Sequence, residues 1–326
     1  MANPSAHSQP PDWQQLIRST LYSADIYTLA ILAAYSILAI VFYNHIPMAA
    51  TLLLENLLIV VVIASSVLLS HLTEFRLFTL IRYFYVIPVV YLMYDQTHYF
   101  VRLVHPYDYD NWLVEADRWI FGCDPTVWLG KLAFPALTEY LQICYFLFYV
   151  LPVTHAIELW YNNDIERLKM FARKMSFVFY LSYIAYFALP AVGPRFTVHD
   201  FASTALDLPS LCLTEPLRAI VNAGGGITAG ALHPIDVVNR DCMPSGHTML
   251  TLVNIFLAFR FRSRFRYVFA VIGGSLIVST VYLRYHYVVD VLAGIILVFL
   301  LLPAEIPVDK YCRNYIQKIA FRRRAL

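Results

Sequence analysis

Charge is scarce in this chain. Asp, Glu, Lys and Arg make up 14% of its 326 residues, where about 25% is usual for a soluble domain. The formal net charge is only +2, so nothing points to a nucleic acid partner. Five cysteines include no C-x-x-C pair, which removes a common signature of zinc and redox centres. No internal repeat stands out, which argues against a solenoid. A cleavable secretory leader is also missing: residues 1–25 are polar, and the apolar run after them is too long and lacks a cleavage-like end. The N-terminus is therefore expected to be retained.

What fills the space is apolar. The hydrophobic fraction is 60% and the mean hydropathy +0.60. A hydrocarbon core about 30 Å thick needs about 20 mostly apolar residues per helix. That spacing predicts spans near 26–43, 50–70, 77–94, 140–160, 171–191, 245–260, 266–283 and 285–303. The expected fold is all-α, a polytopic transmembrane helical bundle of about eight spans. Arg82 and Pro88 fall in the third, where snorkelling and a kink would accommodate them. The chain divides into a polar segment 1–25, N-terminal transmembrane helices with an outer interfacial helix over 26–139, a catalytic membrane core over 140–303, and a basic tail over 304–326.

Lys and Arg set the orientation. They cluster at Arg167, Lys169, Arg173 and Lys174, at Arg260, Arg262, Arg264 and Arg266, and in the tail from Lys310 to Arg324. Eight spans put all three clusters on one side, which is then cytoplasmic. The acidic 95–139 connection falls opposite. Within it Trp112, Leu113, Ala116, Trp119, Ile120 and Phe121 recur at helical spacing, with Asp110, Glu115, Asp117 and Arg118 on the other face. This predicts a capping helix in the outer interface. Residues 126–139 suggest a second short helix broken by Pro135. The long 192–244 connection, with Phe201, Leu206, Leu208, Leu211, Leu217 and Ile220, predicts a folded cover. Cys144 reads as a buried hydrophobe, and a Cys212–Cys242 disulfide is open if the outer side is oxidising.

The same topology brings Arg195, His247, Arg284, His286 and Asp290 to the non-cytoplasmic ends of their helices. Pro244 and Ser245 suit a helix start and its cap. Gly246 permits close backbone approach, and the helix N-terminus favours phosphate. His286 and Asp290 stand four apart, so on a helix they share a face. Asp290 could then orient the ring and leave its other nitrogen free as nucleophile or base. Arg284 offers a planar donor fork. Two histidines and an aspartate could bind zinc, but the arginines favour an anionic ligand. A polar helix end without chemistry is the alternative.

Pro244-Ser245-Gly246-His247, followed by His286-x-x-x-Asp290 and Val291-Leu292-Ala293-Gly294, resembles the type-2 phosphatidic acid phosphatase superfamily. The resemblance covers roughly the C-terminal half. It implies that His286 attacks phosphorus, Asp290 assists it, His247 protonates the leaving oxygen, and no metal or other cofactor is required. Thr280 stands where the phosphatases carry an arginine six residues before the nucleophile, and Arg284 stands two before. Arg195 is the candidate for the arginine of the first motif, with Ala188 and Phe196 at neighbouring key positions. The Arg-x-His-Tyr-x-x-Asp form resembles the inositol phosphorylceramide synthase branch, which moves a phospho-headgroup between lipids. Arg284, Arg195, Ser245 and Gly246 are the expected phosphate-binding set. The expected partners are a phospholipid or lipid phosphate substrate, a lipid or alcohol acceptor, and the membrane. A lipid phosphate phosphatase and a phospholipid-binding transporter are the competing readings.

The orientation is open to direct test. A cysteine placed at Asn222, with the native cysteines replaced, should react with an impermeant thiol reagent in intact cells, and one in the Arg260–Arg266 turn should not. The opposite labelling pattern would move the site to the cytoplasmic side.

Overall fold

The computed structural model describes residues 21–73 and 75–322. Among them the chain is helical, with no strand. A lipid-facing backbone must satisfy its own hydrogen bonds, and helices do so within one segment. The elements are α1 (Ser23–Val41), α2 (Ala49–Leu72), α3 (Arg76–Phe84), α4 (Val86–Val104), α5 (Asp110–Phe121), α6 (Pro125–Gly130), α7 (Pro135–Phe146), α8 (Val150–Tyr161) and α9 (Ile165–Tyr186). Four short helices follow in the outer connection: α10 (Pro194–Thr197), α11 (Thr204–Asp207), α12 (Thr214–Gly224) and α13 (Pro234–Val237). The chain closes with α14 (Gly246–Phe261), α15 (Arg266–Tyr282) and α16 (Val288–Arg322).

Five stretches are long and apolar enough to cross a membrane: Ser23–Val41, Ala49–Ser70, Leu77–Val104, Pro135–Tyr161 and Val288–Lys318. Gly246–Phe261 and Arg266–Tyr282 are shorter apolar helices. The protein is an integral membrane protein. Each of the eight expected spans is helical, but α9 begins inside the basic cluster and falls outside the apolar set.

α14 lies at the centre, packed against α8, α9, α15 and α16. Met249, Val253 and Leu257 of α14 meet Leu168, Phe171 and Val178 of α9 in one core. A second core joins α1, α2, α4 and α9 through Ile31, Tyr35, Ile59, Met93, Phe100 and Tyr183. Leu57, Leu58, Phe299 and Leu300 remain exposed on α2 and α16, as lipid-facing side chains do.

Several expectations are revised. Arg82 does not snorkel; it is 3% exposed and gives a two-pronged hydrogen bond to Asp25, at 2.9 and 2.6 Å. The third span is divided at Tyr85, whose backbone stays α-helical, so Pro88 sits in the first turn of α4, and the helix runs on through 95–104. Pro135 starts α7 instead of breaking a helix, because the first helical position needs no N–H. The last helix begins only at Val288 and passes through Pro303 and Pro307, so 304–322 is no separate tail. Glu305 and Asp309 explain its docking. Glu305 accepts from Lys174 at 2.7 Å and pairs with Arg173 at 2.6 Å, and Asp309 accepts from Ser23 at 2.5 Å. Most of the polar N-terminal segment, residues 1–20, and Arg323 and Arg324 lie outside the described residues.

Glu305→Ala should expose this dependence. It leaves the buried Lys174 ammonium without its carboxylate, while Arg173 keeps Asp309, a loss of about 3–5 kcal/mol. The detergent-solubilised variant should melt well below the wild type; an unchanged melting temperature would show that α16 docks through its apolar contacts alone.

Candidate active site

The site forms where the starts of α14 and α16 meet. Ser245 caps α14, its Oγ accepting from the Thr248 amide at 3.3 Å. His247 follows in the first turn. A Cβ on Gly246 would run into the Tyr186 hydroxyl, so glycine here admits that phenol. Ser245 N donates to the Asp290 carbonyl at 3.1 Å, which ties α14 to α16.

His286 is not on a helix. α15 ends at Tyr282, and Arg284 takes a left-handed φ of 67°. That reversal lets the amides of Tyr285 and His286 both reach the Thr280 carbonyl, at 2.9 and 3.0 Å, closing the helix end as left-handed caps do. The expected i, i+4 helical face for His286 and Asp290 is therefore absent. His286 Nδ1 lies 2.8 Å from the Cys242 carbonyl and 3.5 Å from Asp290 Oδ2. A backbone carbonyl can only accept, so Nδ1 carries the proton and the Nε2 lone pair is free. Asp290 Oδ2 instead accepts from the Tyr287 amide at 2.9 Å and the Cys242 thiol at 2.8 Å.

His286 Nε2 faces His247 Nδ1 at 3.5 Å. A phosphorus does not fit between two nitrogens this close. His247 Nε2 is buried and meets no partner among the described residues. The His247 ring lies between Tyr145 and Phe148, with centroids 4.7 and 4.4 Å away.

The structure thus brings His247, His286, Asp290, Ser245 and Gly246 together. Both arginines are engaged elsewhere. Arg284 Nη1 pairs with Asp207 at 2.8 Å. Arg195 Nη1 donates to Asn222 at 2.8 Å. Its guanidinium lies 4.9 Å from the Tyr285 ring, which stacks on Tyr145 at 4.4 Å, so two aromatic rings separate Arg195 from His247. Backbone links the two arginines, Arg195 N donating to Arg284 O at 3.1 Å.

Three features escaped the sequence. The helical pattern puts Asp110 and Asp117 on the polar face of α5, yet both are buried. Asp110 accepts from the amides of Val192 and Gly193 at 3.0 and 2.8 Å, and Asp117 from those of Val288 and Val289 at 3.0 and 2.8 Å. Trp112 and Trp119 point outward, 68% and 87% exposed. Their i, i+7 spacing with Leu113 and Val114 between was visible, but the sign of the face was not. The second is Cys242: Cys212 and Cys242 are both free thiols, the first against Glu139 and the second against Asp290. The third is a cavity of about 250 Å³ bounded by α4, α8, α9 and α14. Its lining is aromatic and aliphatic, with exposed Ile87, Tyr91 and Tyr149 at its rim and Asp241, Gly246 and His247 at its polar end.

Cys242 Sγ, His286 Nδ1 and an Asp290 oxygen lie within 4.8 Å of one another, as metal ligands could. All three are already joined in the hydrogen bonds described, and a metal would require the thiol and Nδ1 to give up their protons.

A family model described as the PAP2 superfamily matches residues 111–304. The chain belongs to the PAP2 superfamily. It is accordingly a membrane enzyme of phosphatase or phosphotransferase type. The match contains both histidines, Asp290 and both arginines, and leaves α1 to α4 outside it. Neither the comparison with curated proteins nor that with solved structures gave a match.

Burial, and next Asp290, push the Cys242 thiol well above its ordinary range. It should resist alkylation at pH 7 while exposed Cys123 and Cys212 react. Peptide mass mapping after N-ethylmaleimide treatment checks this. Labelling of Cys242 in active protein would contradict the thiol–carboxylate contact.

Proposed function

We propose that this PAP2 enzyme transfers a phospho-headgroup from a phospholipid to a lipid acceptor, in the manner of the inositol phosphorylceramide synthase branch. The cavity carries this reading. It opens between transmembrane helices, is lined for an acyl chain, and ends at His247. His286 is 4% exposed, and a dry site favours an alcohol delivered from lipid over bulk water.

In the first step the His286 Nε2 lone pair attacks phosphorus, the ester P–O bond breaks, and His247 gives its proton to the departing oxygen. Because Nδ1 of His247 faces His286, Nε2 is the nitrogen placed to serve that oxygen, and the substrate enters beside the histidine pair. In the second step the acceptor hydroxyl attacks the phosphohistidine, P–Nε2 breaks, and the acceptor's proton passes to His247. Asp290 holds the Cys242 segment and the Tyr287 turn that present His286. Arg284 and Arg195 bind phosphate oxygens once they exchange Asp207 and Asn222 for the substrate, with the Ser245–Gly246 helix start beside them. The site faces the non-cytoplasmic side.

A panel of labelled phospholipids with a neutral lipid alcohol, read by mass, separates transferred from hydrolysed product. Transfer is expected, and inorganic phosphate alone would assign a lipid phosphate phosphatase. His286→Ala should give neither product; full activity would end the covalent reading and leave a binder or transporter. His247→Ala should lose about 10²-fold on an alkyl ester and much less on an aryl ester, whose leaving oxygen needs little help. Equal losses would mean that His247 binds phosphate without acting as the acid.

A further inference from the structure

The apolar cavity contains one carboxylate among its described lining residues, that of Asp241. Nothing in the proposed chemistry uses it. A half-buried acid at the end of a lipid cavity, beside the histidine that meets phosphate, needs an explanation, because charge drawn away from bulk water is unfavourable without partners. Its surroundings hold it as an acceptor. The Tyr94 hydroxyl donates to Asp241 Oδ2. Asn239 Nδ2 in turn donates to the Tyr94 oxygen at 3.2 Å, which directs the phenol proton towards the carboxylate. Burial alone would raise the Asp241 pKa, but His98, the Tyr94 hydroxyl, His286 and His247 together hold it below the ordinary carboxylate range. An ionised carboxylate has about four lone-pair sites, and Tyr94 is the one donor to it among the described residues.

We propose that Asp241 is the acceptor-selecting residue of the transfer: it receives a hydrogen-bond donor of a neutral lipid alcohol lying in the cavity and excludes anionic lipid groups from that position. This rests on the transfer reading above. The geometry sets the kind of acceptor. The reacting hydroxyl gives its proton to His247 as its oxygen bonds to phosphorus and P–Nε2 breaks. Asp241 takes no proton. It therefore needs a second donor on the acceptor, another hydroxyl or an amide N–H close to the reacting oxygen. No lysine or arginine lines the cavity among the described residues, so a second anion there has no cation to neutralise it.

The test is the partition of one phosphohistidine between two acceptors and water. Wild-type enzyme receives a labelled phospholipid donor with either a short-chain ceramide, which has a second hydroxyl and an amide, or a short-chain diacylglycerol, which has neither. Transfer to the ceramide should dominate. Asp241→Asn should lower the ratio of transfer to hydrolysis with the ceramide by about tenfold, the worth of one hydrogen bond to a charged group. It should leave the ratio with diacylglycerol nearly unchanged. A merely structural defect would slow both products together and leave the ratios in place. If Asp241→Asn is not monodisperse on size exclusion, Asp241→Glu serves: it keeps the charge but displaces the acceptor atom, and the ceramide preference should fall while rejection of a lipid carboxylate inhibitor persists. Unchanged partition in a folded variant, with transfer intact, overturns the role of Asp241 alone. Hydrolysis without transfer in the wild type overturns the transfer reading and this inference with it.

Discussion

A carboxylate cut off from water must be met by donors, and what meets Asp290 shapes the whole site. It is 0% exposed. Its side chain collects the Tyr287 amide and the Cys242 thiol, and its carbonyl takes the Ser245 amide. Those three donors come from the turn that carries His286, the segment that leads into His247, and the first residue before α14. Meeting one oxygen of this buried acid, Oδ2, and its backbone carbonyl thus brings two distant stretches of chain into register, while Oδ1 meets no partner among the described residues. The histidines meet at 3.5 Å as a result.

The same physics governs the outer cover. Asp110 and Asp117 of α5 turn inward and accept backbone amides from the Gly193 turn and from the first turn of α16. Carboxylates at a helix N-terminus satisfy unpaired amides and complement the dipole. Glu139 does likewise for α12, accepting from Leu213 and Thr214 at 2.7 and 2.9 Å. The outer helix that looks like a passive cap is therefore bonded to the segment that follows His286. Its tryptophans are left facing outward, where indole suits the membrane interface.

On the proposed reading, the histidine pair and the arginines belong to a site that rearranges when it acts. Both guanidinium groups hold protein acceptors that a phosphate could replace, and the histidines stand too close to enclose a phosphorus. On the proposed reading, access from the lipid side through the apolar cavity and electrostatic selection at its polar end would be separable functions. Helix packing supplies the first, and the residues before the helix start supply the second.

The chain's linear pattern determined the class of fold and the identity of the central pair. Long apolar runs allow no other backbone than helices in lipid, and Pro-Ser-Gly-His is legible because each residue answers a local need of a helix start. Other features depended on neighbours distant in sequence. Apolar periodicity shows that α5 has two faces, but only packing decides that the acids go inside, since buried amides from two other segments await them. The i, i+4 spacing of His286 and Asp290 suggested a shared helical face. The left-handed Arg284 puts His286 before the helix and hands its orientation to the Cys242 carbonyl. Asp241 had no distinguishing local pattern at all; its place beside a cavity exists only once α4, α9 and α14 have packed together.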